Sequence, residues 1–528
     1  MALPHISDPE FANWIGRLED CYKSHLGGDK REVHVDPLGY GRWTTDYLTE
    51  RESGRDHEQA TQIVLERIHQ VAGINPVPEP GPTPEPGDFP RRTGIPVLRG
   101  RQFHDAGGPF FALGATYMHG VSTFHENRQL FDRDMRDLQA HGVNYIRIIG
   151  FLDGGNISPD PWERAGNTDA ARIGPMIDYA YDTYGIRTFF TVFGGLRHWP
   201  TSGDRRRAVD RACDIIEARR EKVLGAEITN EYWMNWPVAV TEMKDLGRVM
   251  RSRLGPDFVI SHSALRTIAE HDGVDERQIR DEARQVYGDS AANIWTPHYS
   301  RDVHKVDGVW RAYRQPWEHV VYDENGRALT PQASINNEAI GLLSSVAEDS
   351  DPGRQTIAAV ISMIAGEAGY VLHSDAGVWG GRLVNYPPRP YAALTDHPTM
   401  RQVLVGLAGV MRDLPASLPS WSRTRHLLAD HPFAPSFQQT SNGSSQIWPD
   451  GGSQGVVRPY AAYSGNSFVV SLLGVRNYFD IKPARPMRIR IVNAAGWSTV
   501  WEGELRPGQT HRLEAARAAE AIVIGDYI

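Results

Sequence analysis

Two glutamate-bearing runs carry the chemistry that can be read from this chain: Ala226-Glu227-Ile228-Thr229-Asn230-Glu231 and Asn336-Asn337-Glu338. Each follows an apolar, strand-like stretch. With them go Tyr145-Ile146-Arg147, Thr296-Pro297-His298-Tyr299, and His373 followed by Trp379. A pair of carboxylates suits cleavage of a glycosidic bond: one gives a proton to the leaving oxygen, and the other, ionised, attacks or activates water. A neighbouring arginine keeps one carboxylate charged, while seclusion and like charge hold the proton on the other. Arg147 beside Glu338, with Glu231 more secluded, would divide the two in that sense. Glu227 is expected as an interior residue satisfied by its neighbours.

Elements that bring such ends together must alternate strand and helix. Strands are expected near Phe111–Ala115, Val143–Ile149, Ile186–Phe193, Val223–Thr229, Phe258–His262, Ile294–His298, Ala333–Asn337 and Tyr370–His373. Helical stripes lie between them: Phe131, Met135 and Leu138 before Gly142, and Ile357, Val360, Ile361 and Ile364. Eight such units make an α/β (β/α)8 TIM barrel, in which the carboxyl ends of the strands meet in one bowl. A doubly wound sheet would advertise Gly-x-Gly-x-x-Gly after its first strand, and the chain lacks it. The barrel is expected over residues 94–418. Before it come a small helical module, 1–75, and a Pro-rich linker, 76–93, whose Pro76–Gly87 run is too rich in Pro, Glu and Gly to pack. After it, 419–528 reads as a β-sandwich: Phe468–Leu473 is a buried-strand run, Met487, Ile489 and Ile491 alternate with Arg488 and Arg490, and Ala521–Ile524 closes the chain. Gln438–Gln454, rich in Ser, Asn and Gly, is expected as a loop.

Composition narrows the partners. The chain has 528 residues, 40% apolar and 23% charged, ordinary for a globular protein with a sizeable core. A formal net charge of −9 with no basic cluster argues against a nucleic-acid partner. The longest apolar stretch, Ala358–Gly366, is too short to cross a bilayer, so no membrane insertion is expected. The N-terminus shows neither the basic start nor the apolar core of a secretory signal, which leaves the compartment open for a soluble protein. Two cysteines, Cys21 and Cys213, form no metal-spaced pair. Zinc-hydrolase and phosphate-loop motifs are absent, and neither a metal nor a cofactor is expected.

The runs Gly142-Val143-Asn144-Tyr145-Ile146-Arg147-Ile148, Ala226–Glu231, His298-Tyr299 and Asn337-Glu338 resemble the strand signatures of clan A glycoside hydrolases, most closely family 5, over roughly Gly94–Leu414. The resemblance implies a retaining hydrolase of β-linked poly- or oligosaccharides, with Glu231 as acid/base and Glu338 as nucleophile. It further implies that Asn230 holds the sugar 2-hydroxyl, that Arg147 and Tyr299 orient Glu338, that His298 lines the cleft, and that Trp379 forms a stacking floor. Tyr232 stands where family 5 usually has proline. Gly366-Glu367-Ala368-Gly369 also looks like a nucleophile motif, but a helical stripe directly precedes it, and Glu338 is preferred. Trp199, Trp233, Trp236, Trp295, Trp310 and Trp317 join Trp379 near inferred strand ends, where about half are expected to stack on sugar faces. Arg197 and His198 follow the third strand as rim contacts. A catalytically inactive, carbohydrate-binding barrel of a phage particle or cell surface is the alternative. The segment from His25 to Leu48 loosely resembles repeats of bacterial and phage surface proteins, with a plain helical cap as the alternative, and the helical module with its Pro-rich spacer suggests that residues 1–75 tether the chain to a surface or particle.

Overall fold

The eight strand-like stretches become eight parallel strands. The structure, a computed structural model, describes residues 47, 59–61, 63–64, 89–118, 120–151, 170–196, 199–269, 276–299, 316, 320–339, 352–373, 398–424, 460–473, 478–514 and 520–528. It divides into two units, Met1–Glu85 and Pro86–Ile528. In the first, the described residues are helical, with Tyr47, Ala60, Thr61 and Val64 buried. The rest of the expected helical module and the Pro76–Gly87 spacer lie outside the described residues.

The second unit opens with a small antiparallel sheet, β1 (Val97–Arg99), β2 (Gln102–Asp105) and β3 (Gly108–Phe110). The barrel strands follow as β4 (Ala112–Thr116), β5 (Tyr145–Phe151), β6 (Arg187–Phe193), β7 (Val223–Thr229), β8 (Ile260–Ser261), β9 (Ile294–Trp295), β10 (Ala333–Asn336) and β11 (Gly369–Leu372). They pair in parallel in the order β8-β7-β6-β5-β4-β11-β10-β9. Asn293 joins the two ends of that order: its N–H donates to the Ile260 carbonyl at 2.9 Å, and its side-chain oxygen accepts from the Ile260 N–H at 2.8 Å. Amphipathic helices cover the outside. The Arg128–Ala140 helix buries Leu130, Phe131, Met135 and Leu138, and the Pro352–Ala365 helix is apolar nearly all round because both its faces are covered.

Every second strand residue points inward, so the barrel interior is built in layers. The lower layer is apolar: Tyr145, Phe189, Val259, Ile294, Ile335 and Val371. Gly114 and Gly225 share it, because a Cβ on the first would overlap the Tyr145 ring and on the second would press on Val259 and Phe189. From below, Phe103 of β2 and Phe110 of β3 seal the barrel, their ring centroids 5.6 Å apart. Gly114→Ala should therefore lower stability by about 1–3 kcal/mol through overpacking. Chemical denaturation measures it, and an unchanged transition would show that the Tyr145 ring has room to move aside.

Two residues further along the strands the layer turns polar. Thr116, Arg147, Thr191, Glu227, Ser261, Thr296, Asn337 and His373 are all buried. Such a layer is tolerable only if its members satisfy one another. Thr191 Oγ1 donates to Glu227 Oε2 at 2.9 Å and Thr296 Oγ1 to Glu227 Oε1 at 2.5 Å. Ser261 and Thr296 share a hydroxyl bond of 2.7 Å, and His373 Nδ1 lies 3.0 Å from Thr116 Oγ1.

Beyond the barrel, β12 (Ser422–Thr424), β13 (Tyr460–Ser464), β14 (Ser467–Leu473), β15 (Tyr478–Ile481), β16 (Met487–Asn493), β17 (Ser498–Leu505), β18 (His511–Glu514) and β19 (Glu520–Tyr527) form two antiparallel sheets, β12-β13-β14-β19-β16-β17 and β15-β18. Met487, Ile489 and Ile491 are buried while Arg488 is exposed, the alternation of a half-covered strand. These sheets share one hydrophobic core with the barrel helices. The Trp497 ring lies where a Cβ on Gly409 of the Pro398–Asp413 helix would sit, and its indole N–H donates to Asp413 at 2.6 Å. Arg490 of β16 pairs with the same aspartate at 2.8 Å, and Arg423 of β12 donates to the Ala365 carbonyl. Gln438–Gln454 lies outside the described residues. Among the described residues, no helix is long and apolar enough to cross a membrane.

Candidate active site

The polar layer is the floor on which three side chains stand at the carboxyl ends of the strands: Glu231, His298 and Glu338. The Asn230 N–H donates to the Phe193 carbonyl at 2.9 Å, carrying the β6–β7 pairing one step past β7. Glu231 then takes φ 42° and ψ 73°, the left-handed region that costs a residue with a Cβ about 1–3 kcal/mol. That turn sends the chain into the short Tyr232–Asn235 helix. Tyr232 holds it there, donating its N–H to Ser263 Oγ at 2.9 Å and its hydroxyl to Glu282 at 2.7 Å. Buried Glu282 is itself fixed by the N–H groups of Arg266 and Thr267, at 2.7 and 2.8 Å. A proline at 232 would lack the donor that Ser263 receives, so this chain replaces ring rigidity with two hydrogen bonds.

Arg147 is the hub beneath. It is fully buried, and its planar fork reaches Glu338 Oε1 at 2.7 Å, Glu227 Oε2 at 2.9 Å and Asn230 Oδ1 at 2.7 Å. The Asn337 amide oxygen, in the orientation that satisfies both groups, accepts from Arg147 Nε at 3.0 Å. Coulomb attraction and hydrogen bonds from Glu227 and Glu338 outweigh desolvation and raise the guanidinium pKa further. One permanent cation is thus shared by two buried carboxylates.

His298 bridges the catalytic candidates. It is buried, with Nδ1 3.1 Å from Glu231 Oε1 and 3.4 Å from Glu338 Oε2. One donor atom from each of the three residues lies within 4.8 Å of the others, which makes them, among the described residues, the group able to hold a cation. A metal-bound histidine usually anchors its second ring nitrogen on a partner. The buried Nε2 of His298 has none among the described residues. The set reads better as two carboxylates bridged by an imidazole.

Tyr299 departs from expectation. Its hydroxyl donates to Glu367 at 2.6 Å, not to Glu338. The cause is spacing, since adjacent residues of an extended segment face opposite ways; with His298 in the bowl, Tyr299 is directed outward. Glu367 occupies that outer layer, after the Pro352–Ala365 helix and ahead of β11, with Ser334 Oγ at 3.4 Å. Asn230 is fixed by Arg147, so its amide orientation is set. Trp379 and His198, with Arg197, Trp310 and Trp317, lie outside the described residues. Trp236 and Trp295 are buried packing residues, while Trp199 and Trp233 are half-buried. The hydroxyl partners of Glu227, Thr191 and Thr296, escaped the sequence reading. Their signal was available: each is a polar residue in an inward register at an apolar strand's end.

Burial pushes the Glu367 carboxyl up to about 8 against hydrogen bonds from Tyr299, Ser362 and Ser334 and the field of Arg423. Its folded proton affinity exceeds the unfolded value near 4.5, so folding binds a proton between those limits. Stability should be highest below about pH 4.5 with respect to this group and decline as pH rises toward 8. Glu367→Gln should flatten that decline and gain on the wild type at pH 8. Denaturation across the range checks it, and parallel curves for the two proteins would refute it.

No protein-family model matches the chain, and none of the curated proteins matches it. Solved structures do. One described as a glycoside hydrolase aligns with a TM-score of 0.54 at 13% identity, covering 82% of this chain and 97% of its own. A glycoside hydrolase family 5 structure from Bacteroides vulgatus aligns with a TM-score of 0.55 at 14% identity, covering 82% of this chain and 94% of its own. At such identity the likeness is one of fold: a (β/α)8 barrel followed by a β-domain.

Proposed function

We propose that the chain is a retaining glycoside hydrolase of β-linked poly- or oligosaccharides, with Glu231 as acid/base and Glu338 as nucleophile. The observation that carries this reading is the approach of the two carboxylates across His298, with donor atoms within 4.8 Å. Retaining enzymes keep their carboxyl groups about 5–5.5 Å apart, whereas inverting ones leave about 6.5–9.5 Å for a water. In the first step a Glu338 oxygen attacks the anomeric carbon. The glycosidic C–O bond breaks, and its electron pair goes to the leaving oxygen as that oxygen takes the Glu231 proton. In the second, Glu231 removes a proton from water, water oxygen bonds the anomeric carbon, and the ester C–O electrons return to Glu338. Arg147 anchors Glu338 Oε1 throughout. Asn230, its amide oxygen turned to Arg147, would offer its NH2 end to the sugar 2-hydroxyl. Trp379 and His198 would supply the stacking floor and the rim, and residues 1–75 the tether.

Hydrolysis of mannans, glucans, xylans and galactans, with Glu231→Gln and Glu338→Gln alongside, tests the assignment. Release of a β-anomer first, seen by proton NMR, is expected. A first-formed α-anomer would establish inversion, and binding without turnover would return the chain to a carbohydrate-binding barrel.

A further inference from the structure

We infer that Glu227 is a positioning residue that sets the charge balance of the nucleophile by holding half of Arg147. Its role rests on Glu338 being the nucleophile proposed above. Glu227 and Glu338 each form an ion pair with the one buried guanidinium, at 2.9 and 2.7 Å. A carboxylate held by an undivided arginine would be a stable anion and a poor nucleophile. Sharing the cation leaves Glu338 ionised yet reactive.

The second consequence concerns the covalent intermediate. When Glu338 becomes a neutral ester, its negative charge is gone, and a lone Arg147 would be an uncompensated buried cation. Glu227 remains as counterion. The surrounding residues are arranged for that duty: all three of its protein donors, Arg147, Thr191 and Thr296, point hydrogen at it, and Ser261 backs Thr296 at 2.7 Å. No proton-donating task is open to a group so enclosed, and it lies beneath the bowl rather than in it.

Replacing Glu227 by glutamine should give Arg147 wholly to Glu338. The acidic limb of kcat/KM should then move about one pH unit or more to lower pH, and attack on an aryl β-glycoside should slow about tenfold or more. Accumulation of a 2-fluoro-glycosyl enzyme should fall as well. Thr296→Val and Thr191→Val each take away a competing donor, so Glu227 draws harder on Arg147 and the limb should move the other way, to higher pH and by less, and Thr296→Val should add nothing in the Glu227→Gln background. These milder variants decide the matter if Glu227→Gln fails to fold. A limb that stays in place in folded variants, or moves to higher pH in Glu227→Gln or to lower pH in the threonine variants, overturns the inference. The carbon-13 signal of the Glu338 carboxyl, identified by its loss in Glu338→Gln, reports the same shift without turnover. If the wild type cleaves no glycoside, the glycosidase reading fails, while the NMR titration still shows whether Glu227 divides the cation.

Discussion

Replacing Glu338 by alanine should lower kcat by something on the order of a million-fold, the scale at which a covalent nucleophile is missed. The fold should survive, because Arg147 keeps Glu227 as its buried partner at 2.9 Å and is not stranded as a lone cation. Small anions offer the sharper test. Azide can enter the space vacated by the carboxyl and attack the anomeric carbon of an activated β-glycoside from the nucleophile's side. The product should be an α-glycosyl azide, and activity should climb with azide concentration. A β-glycosyl azide from Glu338→Ala would place the nucleophile elsewhere.

Glu231→Ala should separate the two halves of the reaction. General acid assistance is worth about 10²–10⁴-fold, and it matters only when the leaving group needs a proton. Unactivated oligosaccharides should therefore lose activity by about that factor, while glycosides of acidic phenols should still form the glycosyl enzyme and stall there. A pre-steady-state burst of phenol followed by a slow steady state is the expected trace. Azide should relieve the stall and yield the β-glycosyl azide. The basic limb of the pH profile should vanish, since the group that must be protonated is gone. Equal losses for good and poor leaving groups would deny Glu231 the role of acid.

The barrel was legible because its signals are local. Val223–Thr229 and Arg187–Phe193 are short, apolar and bounded by helical stripes, and the strands stand where those patterns end. The bowl was legible for the same reason, because a (β/α)8 barrel assembles whatever its strand ends carry. The contacts made once the residues arrive depend on registers between distant strands. Nothing near Thr296 shows that it serves Glu227, 69 positions away. Tyr299 shows where resemblance to a family outran the chain's own spacing: one position after His298, it is directed to Glu367. Glu231's left-handed backbone was equally hidden, since Glu carries none of glycine's preference for that region.

The Gly409–Trp497 contact bears on how this chain can be recombined. With Trp497 seated on the Pro398–Asp413 helix, Asp413 claimed by Arg490 of β16 and by Trp497 of the turn that follows it, and Arg423 closing on the end of the Pro352–Ala365 helix, there is no clean seam at residue 419. A gene cut there would strip the last two barrel helices of their outer cover and expose an apolar face of the kind that drives aggregation. The transplantable cassette is the barrel together with its sheets, and fusions to other binding modules should be joined upstream of Pro86.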